Sequence, residues 1–123
     1  MAVSEMNYID ITTGEIEVGV ERLVGTFKVS GVVYNRYVKV VDYGVLPNAT
    51  NKSVPHNISG ITSCEQFIGF KMTVRNSTEA YNMSDIPTTS SPWRLFVTPS
   101  NIIIQVTGNW SAYNGLATLE YYK

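Results

Sequence analysis

Cys64-Glu65-Gln66-Phe67-Ile68-Gly69-Phe70-Lys71-Met72-Thr73-Val74-Arg75 carries the alternation that decides the fold class of this chain. Gln66, Ile68, Phe70, Met72 and Val74 occupy one side of a two-residue period and are mostly apolar, whereas Glu65, Lys71, Thr73 and Arg75 occupy the other. Successive side chains of an extended chain point to opposite faces, so this period predicts a half-buried strand from Cys64 to Val74. No window of the sequence sustains helical periodicity. Abundant Val and Thr, scarce Ala, and Gly, Asn and Pro at short intervals favour many short strands.

Working toward the N-terminus, Leu46-Pro47-Asn48-Ala49-Thr50-Asn51-Lys52-Ser53-Val54-Pro55-His56-Asn57-Ile58-Ser59 is polar and dense in turn formers. Pro47 and Pro55 each lack a backbone donor, and the Asn, Ser and Thr side chains offer the backbone local hydrogen bonds that compete with a helix. An ordered extended loop or an edge strand is expected. Before it, Arg22 to Val29 and Val32 to Val41 flank Ser30-Gly31, which predicts a hairpin with a tight reversal. Toward the C-terminus, Asn76 to Pro92 is polar, contains Pro87 and predicts the longest loop, with a short excursion around Ala80 to Met83. Trp93 to Thr98 and Ile102 to Thr107 read as strands across the turn Pro99-Ser100-Asn101. Leu116 to Tyr122 reads as the last strand, in a closing hairpin from Ile102 to Tyr122. These elements predict an all-β, antiparallel β-sandwich of jelly-roll character over residues 22–123. Residues 1–21 form a short N-terminal arm and possible attachment segment, in which Ile9 to Ile16 makes a small hairpin or an extended arm.

A length of 123 residues suits one domain with one core. Charged residues make up 15% of the chain, against about a quarter in an average protein, so the surface relies on neutral Ser, Thr, Asn and Tyr. The formal net charge of -1 argues against electrostatic capture of nucleic acid or anionic lipid, which needs clustered Lys and Arg. The N-terminus has neither a basic flank nor an apolar run, so no signal peptide and no membrane insertion are expected. Cys64 is the single cysteine, which excludes an internal disulfide; its neighbours suggest a strand position and a buried, inert thiol.

Catalytic and metal chemistry find little footing. His56 is the only histidine and has no carboxylate near it in sequence, so no nucleophile-base pair is predicted. Glu15, Glu17 and Glu21 cluster near the N-terminus without a second acidic group at a defined spacing. Asp10-Ile11-Thr12-Thr13-Gly14 has too few oxygen ligands for a cation loop and reads as a turn. The expectation is a non-enzymatic chain without metal or cofactor. Six sequons begin at Asn48, Asn51, Asn57, Asn76, Asn82 and Asn109; in a chain rich in Asn, Ser and Thr, with no export signal, they read as unmodified polar segments. The aromatic residues are better candidates. Trp110 and Tyr113, flanked by Asn109 and Asn114, combine flat apolar rings with neutral hydrogen-bonding groups, the mixture that saccharide sites use, and Trp93 is placed on the same rim. Tyr34, Tyr37, Tyr43, Tyr121 and Tyr122 read as sheet or interface residues.

Three stretches resemble the carboxy-terminal β-domains of tail-fibre and receptor-binding proteins of phages and prophages. They are Leu23 to Tyr34, the Leu46 to Ser59 loop, and Ser100 to Val106 followed by Ser111 to Lys123, with Phe27 standing where the family commonly has Trp. The resemblance implies a virion protein made in the host cytoplasm. It implies a homotrimer that binds a host cell-surface saccharide or other virion proteins. Because this chain is almost nothing but the module, decoration of a capsid, baseplate or fibre through residues 1–21 is an alternative. A carbohydrate-binding module detached from an enzyme is another.

Overall fold

A computed structural model describes residues 15–83 and 93–123. Among the described residues, eight strands fold into two antiparallel sheets: β1 (Arg22–Val29), β2 (Val32–Val45), β3 (Asn51–Pro55), β4 (Phe67–Arg75), β5 (Ala80–Met83), β6 (Trp93–Val97), β7 (Asn101–Val106) and β8 (Asn114–Tyr122). The larger sheet has the order β1-β2-β8-β4-β5 and the smaller one β3-β7-β6. The pairing of β2 with β8 in one sheet and of β3 with β7 in the other is nested, and this wrapped order gives the sandwich its jelly-roll character.

The hairpin β1–β2 forms as the sequence predicts. Ser30 and Gly31 both take positive φ, 48° and 81°, the backbone twist that suits a two-residue reversal. The Leu46 to Ser59 segment supplies β3, an edge strand that ends at Pro55, where a missing N–H is tolerated. The excursion at Ala80 to Met83 is the edge strand β5. The rest of the expected loop, residues 84–92, lies outside the described residues, as do residues 1–14 and most of the expected Ile9 to Ile16 hairpin. Of the arm, residues 15–21 are described. Gly19 N donates to Val40 O at 2.7 Å, and Glu21 bonds Tyr121 and Lys123, so the arm joins the sheet at its last residues.

Three expectations are corrected. Cys64–Gln66 is a 3-10 turn, not the start of a strand: Ser63 caps it, and the Gln66 side chain folds back onto the Ser63 N–H as the other half of a capping box. Cys64 is therefore exposed, with Sγ directed at Val97 O at 3.6 Å. Second, β4 contains a bulge. Phe67 pairs with Tyr121 and Gly69 with Glu120, so Ile68 is the extra residue, and Phe67 joins Phe70, Met72 and Val74 against the core. Third, β7 and β8 are not a hairpin. They lie in opposite sheets, because β8 inserts between β2 and β4 while β7 inserts between β3 and β6.

The core lies between the sheets. β8 contributes Ala117, Leu119 and Tyr121 on alternate positions, and β7 contributes Ile102, Ile104 and Val106 from the facing layer. Full burial of each aliphatic side chain of this size stabilises by about 1.5–3 kcal/mol. Gly115 sits where a Cβ would meet Met72 Sδ at 2.9 Å and Tyr43 Cβ at 3.1 Å, so close packing at the mouth of β8 requires glycine. Tyr43 and Tyr121 are core residues, whereas Tyr34 and Tyr122 cluster with Phe27, at ring-centroid distances of 4.8 Å from Tyr34 to Tyr122 and 5.3 Å from Phe27 to Tyr122.

Candidate functional site

The connection from β7 to β8 is built by backbone hydrogen bonds to the segment that follows β2. Ala49 N donates to Gly108 O at 2.8 Å, Trp110 N to Pro47 O at 3.1 Å, and Leu46 N to Tyr113 O at 3.0 Å. Asn109 Oδ1 accepts from Ser111 N at 3.0 Å and from Ser111 Oγ at 2.6 Å, closing a local turn. The polar residues around Trp110 thus shape the loop, and their work is to aim the ring. Trp110 meets Trp93, the first residue of β6, edge to face with centroids 4.9 Å apart. Tyr113 stands 5.8 Å from Trp110, and Tyr81 of β5 stands 5.9 Å from Tyr113.

These four rings border a cleft of about 310 Å³, whose lining is completed by Val74, Asn82 and Met83. Val74 and Met83 are fully buried core residues. The cleft therefore opens directly above packed hydrophobic structure. Trp110, Tyr113 and Trp93 are half-buried and pack against the core, so the rim expected from sequence is also part of the packed structure.

A carboxylate outside the lining is bonded to the Tyr113 hydroxyl. Asn76 Oδ1 accepts from Thr78 N at 2.9 Å and from Glu79 N at 3.0 Å, and this turn presents Glu79 to Tyr113, whose hydroxyl donates to Glu79 Oε1 at 2.5 Å. The hydrogen bonds from Tyr113 and then Tyr81 hold the Glu79 carboxyl below its usual range. The same bond pushes the Tyr113 phenol up to about 12, and the interaction of Tyr81 with Glu79 raises the Tyr81 phenol. At neutral pH the trio is two neutral phenols around one carboxylate.

Of the five residues the sequence singled out, the structure brings Trp93, Trp110 and Tyr113 together. Asn109 is held in its own turn, and Asn114 faces a separate polar hollow formed with Asp42, Arg75, Asn76 and Ser77, because the strand period turns it away from Tyr113. Tyr81, Asn82, Met83 and Glu79 were missed. Asn76-Ser77-Thr78-Glu79 does signal a turn through its Asn, but nothing local shows that the turn ends 34 residues away from its partner Tyr113.

His56 lies elsewhere and is structural. Its Nδ1 accepts from Ile58 N at 3.1 Å, its Nε2 faces Thr98 O at 3.1 Å, and Lys39 Nζ donates to the His56 and Asn57 carbonyls. Both ring nitrogens are engaged by backbone, and burial, assisted by the Lys39 charge, holds the imidazole below its usual range. Among the described residues no group of three or more His, Cys, Asp or Glu is placed to hold a metal ion, and no helix is long and apolar enough to cross a membrane. No family model, no curated protein and no solved structure matches the chain.

Proposed function

We propose that this chain is a non-enzymatic receptor-binding or fibre module of a phage virion, and that its aromatic cleft contacts a host-surface glycan. The observation that carries the reading is the convergence of Trp93 of β6, Tyr81 of β5, and Trp110 and Tyr113 of the β7–β8 connection on one open cleft. Rings that only plug a core are covered; these remain half-exposed or exposed beside a carboxylate and a carboxamide, Glu79 and Asn82. Stacking a sugar face buries about 50–100 Å² of apolar surface, worth on the order of 1–3 kcal/mol. The resemblance of Leu23 to Tyr34 and of the closing stretches to fibre domains supplies the virion context.

The module assembles as a homotrimer in this reading, bringing exposed apolar residues such as Val32, Val33 and Val45 into contact with neighbouring copies or other virion proteins. The same cleft would also serve the detached carbohydrate-binding module, which would act as a monomer. Binding of the purified chain to an array of bacterial surface glycans, with Trp110→Ala as control, tests the site. A ligand retained by the wild type and lost in the variant supports it; no ligand on the array, or binding unchanged by the variant, refutes it. Light scattering tests the assembly, since a species of 13.7 kDa at micromolar concentration would remove the trimer and leave the monomeric module.

A further inference from the structure

The rings of the cleft are arranged as walls, not as a platform. Trp93 and Trp110 stand at 89° to each other, Tyr81 and Tyr113 at 67°, and Trp110 and Tyr113 at 45°. A neutral pyranose gains most from one flat, open ring. Although the Trp93–Trp110 edge-to-face contact covers one indole face, four aromatic residues line this one space, and the negative faces of aromatic rings attract a cation.

The polar group beside the rings has the matching sign. Glu79 accepts the Tyr113 hydroxyl at 2.5 Å, and this bond favours its ionised form. A phenol that donates to an anion has a more electron-rich ring, so Glu79 acts on a cation both as a counter-charge and through the ring faces. The lining contains no Lys, Arg or His among the described residues, so no protein cation competes for the space. A volume of about 310 Å³ admits a trimethylammonium head with its first carbons.

We propose that the ligand of this cleft carries an ammonium group, which docks among Trp93, Trp110, Tyr81 and Tyr113 with Glu79 as its counter-ion. The proposal rests on the glycan reading of the same cleft and narrows it: the recognised saccharide bears a cationic substituent. That cation has two chemical sources, a quaternary choline-type substituent or the primary ammonium of an amino sugar.

The test titrates the full chain, followed by the indole N–H signals of Trp93 and Trp110 in NMR. The probes are choline against neohexyl alcohol, its uncharged isostere, and glucosamine against N-acetylglucosamine. The expected result is binding of at least one ammonium probe about tenfold or more tighter than its neutral counterpart, weakened several-fold in Glu79→Gln, since the cation would lose both charge and ring density. Choline binding identifies the quaternary source, and glucosamine binding without choline binding identifies the amino sugar. Equal binding within both pairs, or ammonium binding indifferent to Glu79→Gln, overturns the proposal. If neutral glycans bind through Trp110 while neither ammonium probe binds, the cation proposal falls and the glycan reading stands; ammonium binding with a blank glycan array leaves the reverse. Tyr81→Leu serves if Trp110→Ala does not fold, because Tyr81 is 49% exposed and its removal opens one wall without excavating the core.

Discussion

Two corners of the sandwich, one around His56 and one around Trp110, use similar materials to opposite ends. At the first, a polar ring is closed over: His56 is only 1% exposed, both ring nitrogens meet backbone groups, and the buried Lys39 ammonium is spent on two carbonyls. At the second, apolar rings are left partly open, and a carboxylate is held beside them by phenols rather than by a cation. A buried polar group without partners is costly, so satisfaction by backbone marks the first corner as structural. Uncovered aromatic surface costs the molecule stability that a ligand can restore, which is why the second corner is the one proposed to bind.

The sharpest way to break this contrast is to remove each ring. His56→Ala orphans Ile58 N and Thr98 O and leaves a void beside Phe67, and should cost about 2–4 kcal/mol in urea or thermal unfolding with ligand binding unchanged once folded. Trp110→Ala should cost less stability, about 1–2 kcal/mol for a half-buried ring, yet weaken glycan binding about tenfold or more. If the Trp110 variant loses more stability than the His56 variant and no affinity, the two corners have been assigned the wrong way round.

Acid separates the corners further. The His56 imidazole is held below its ordinary value by burial, so the unfolded chain binds the proton first and the native state is penalised as pH falls. The His56 contribution should be fully present above about pH 6.5 and decline as pH drops through that value toward the lowered native one. Unfolding midpoints measured across this window should slope for the wild type and flatten for His56→Gln. A wild-type slope that survives in the variant would assign the dependence to other groups.

The smallest expected effect sharpens the second corner alone. Tyr113→Phe removes one hydrogen bond to an exposed carboxylate, so the unfolding midpoint should stay where it is while the Glu79 carboxyl rises toward the usual range. A carbon-detected NMR titration of Glu79 reads this directly. An unmoved carboxyl would mean that Tyr113 and Glu79 are not coupled in solution.

The sequence by itself determined the class of structure. Alternation in β4, the Ser30-Gly31 reversal and the turn chemistry of Leu46 to Ser59 are local signals, read by steric and hydrogen-bonding rules that act within a few residues, and the corresponding strands form. It also pointed to Trp93, Trp110 and Tyr113, because exposed turn residues around aromatic rings are a local composition. Tertiary structure alone decided the rest. The bulge that turns Phe67 inward depends on the pairing of Phe67 with Tyr121 across the sheet, and the separation of β7 from β8 depends on which strands each can pair with. Ser63 and Gln66 made a capped turn where the two-residue period alone would extend the strand to Cys64. Tyr81 reaches the cleft, and Glu79 reaches Tyr113, only because β5 pairs with β4 and β4 with β8, and the mutual angles of four rings from three segments are set by packing that no short stretch of sequence encodes.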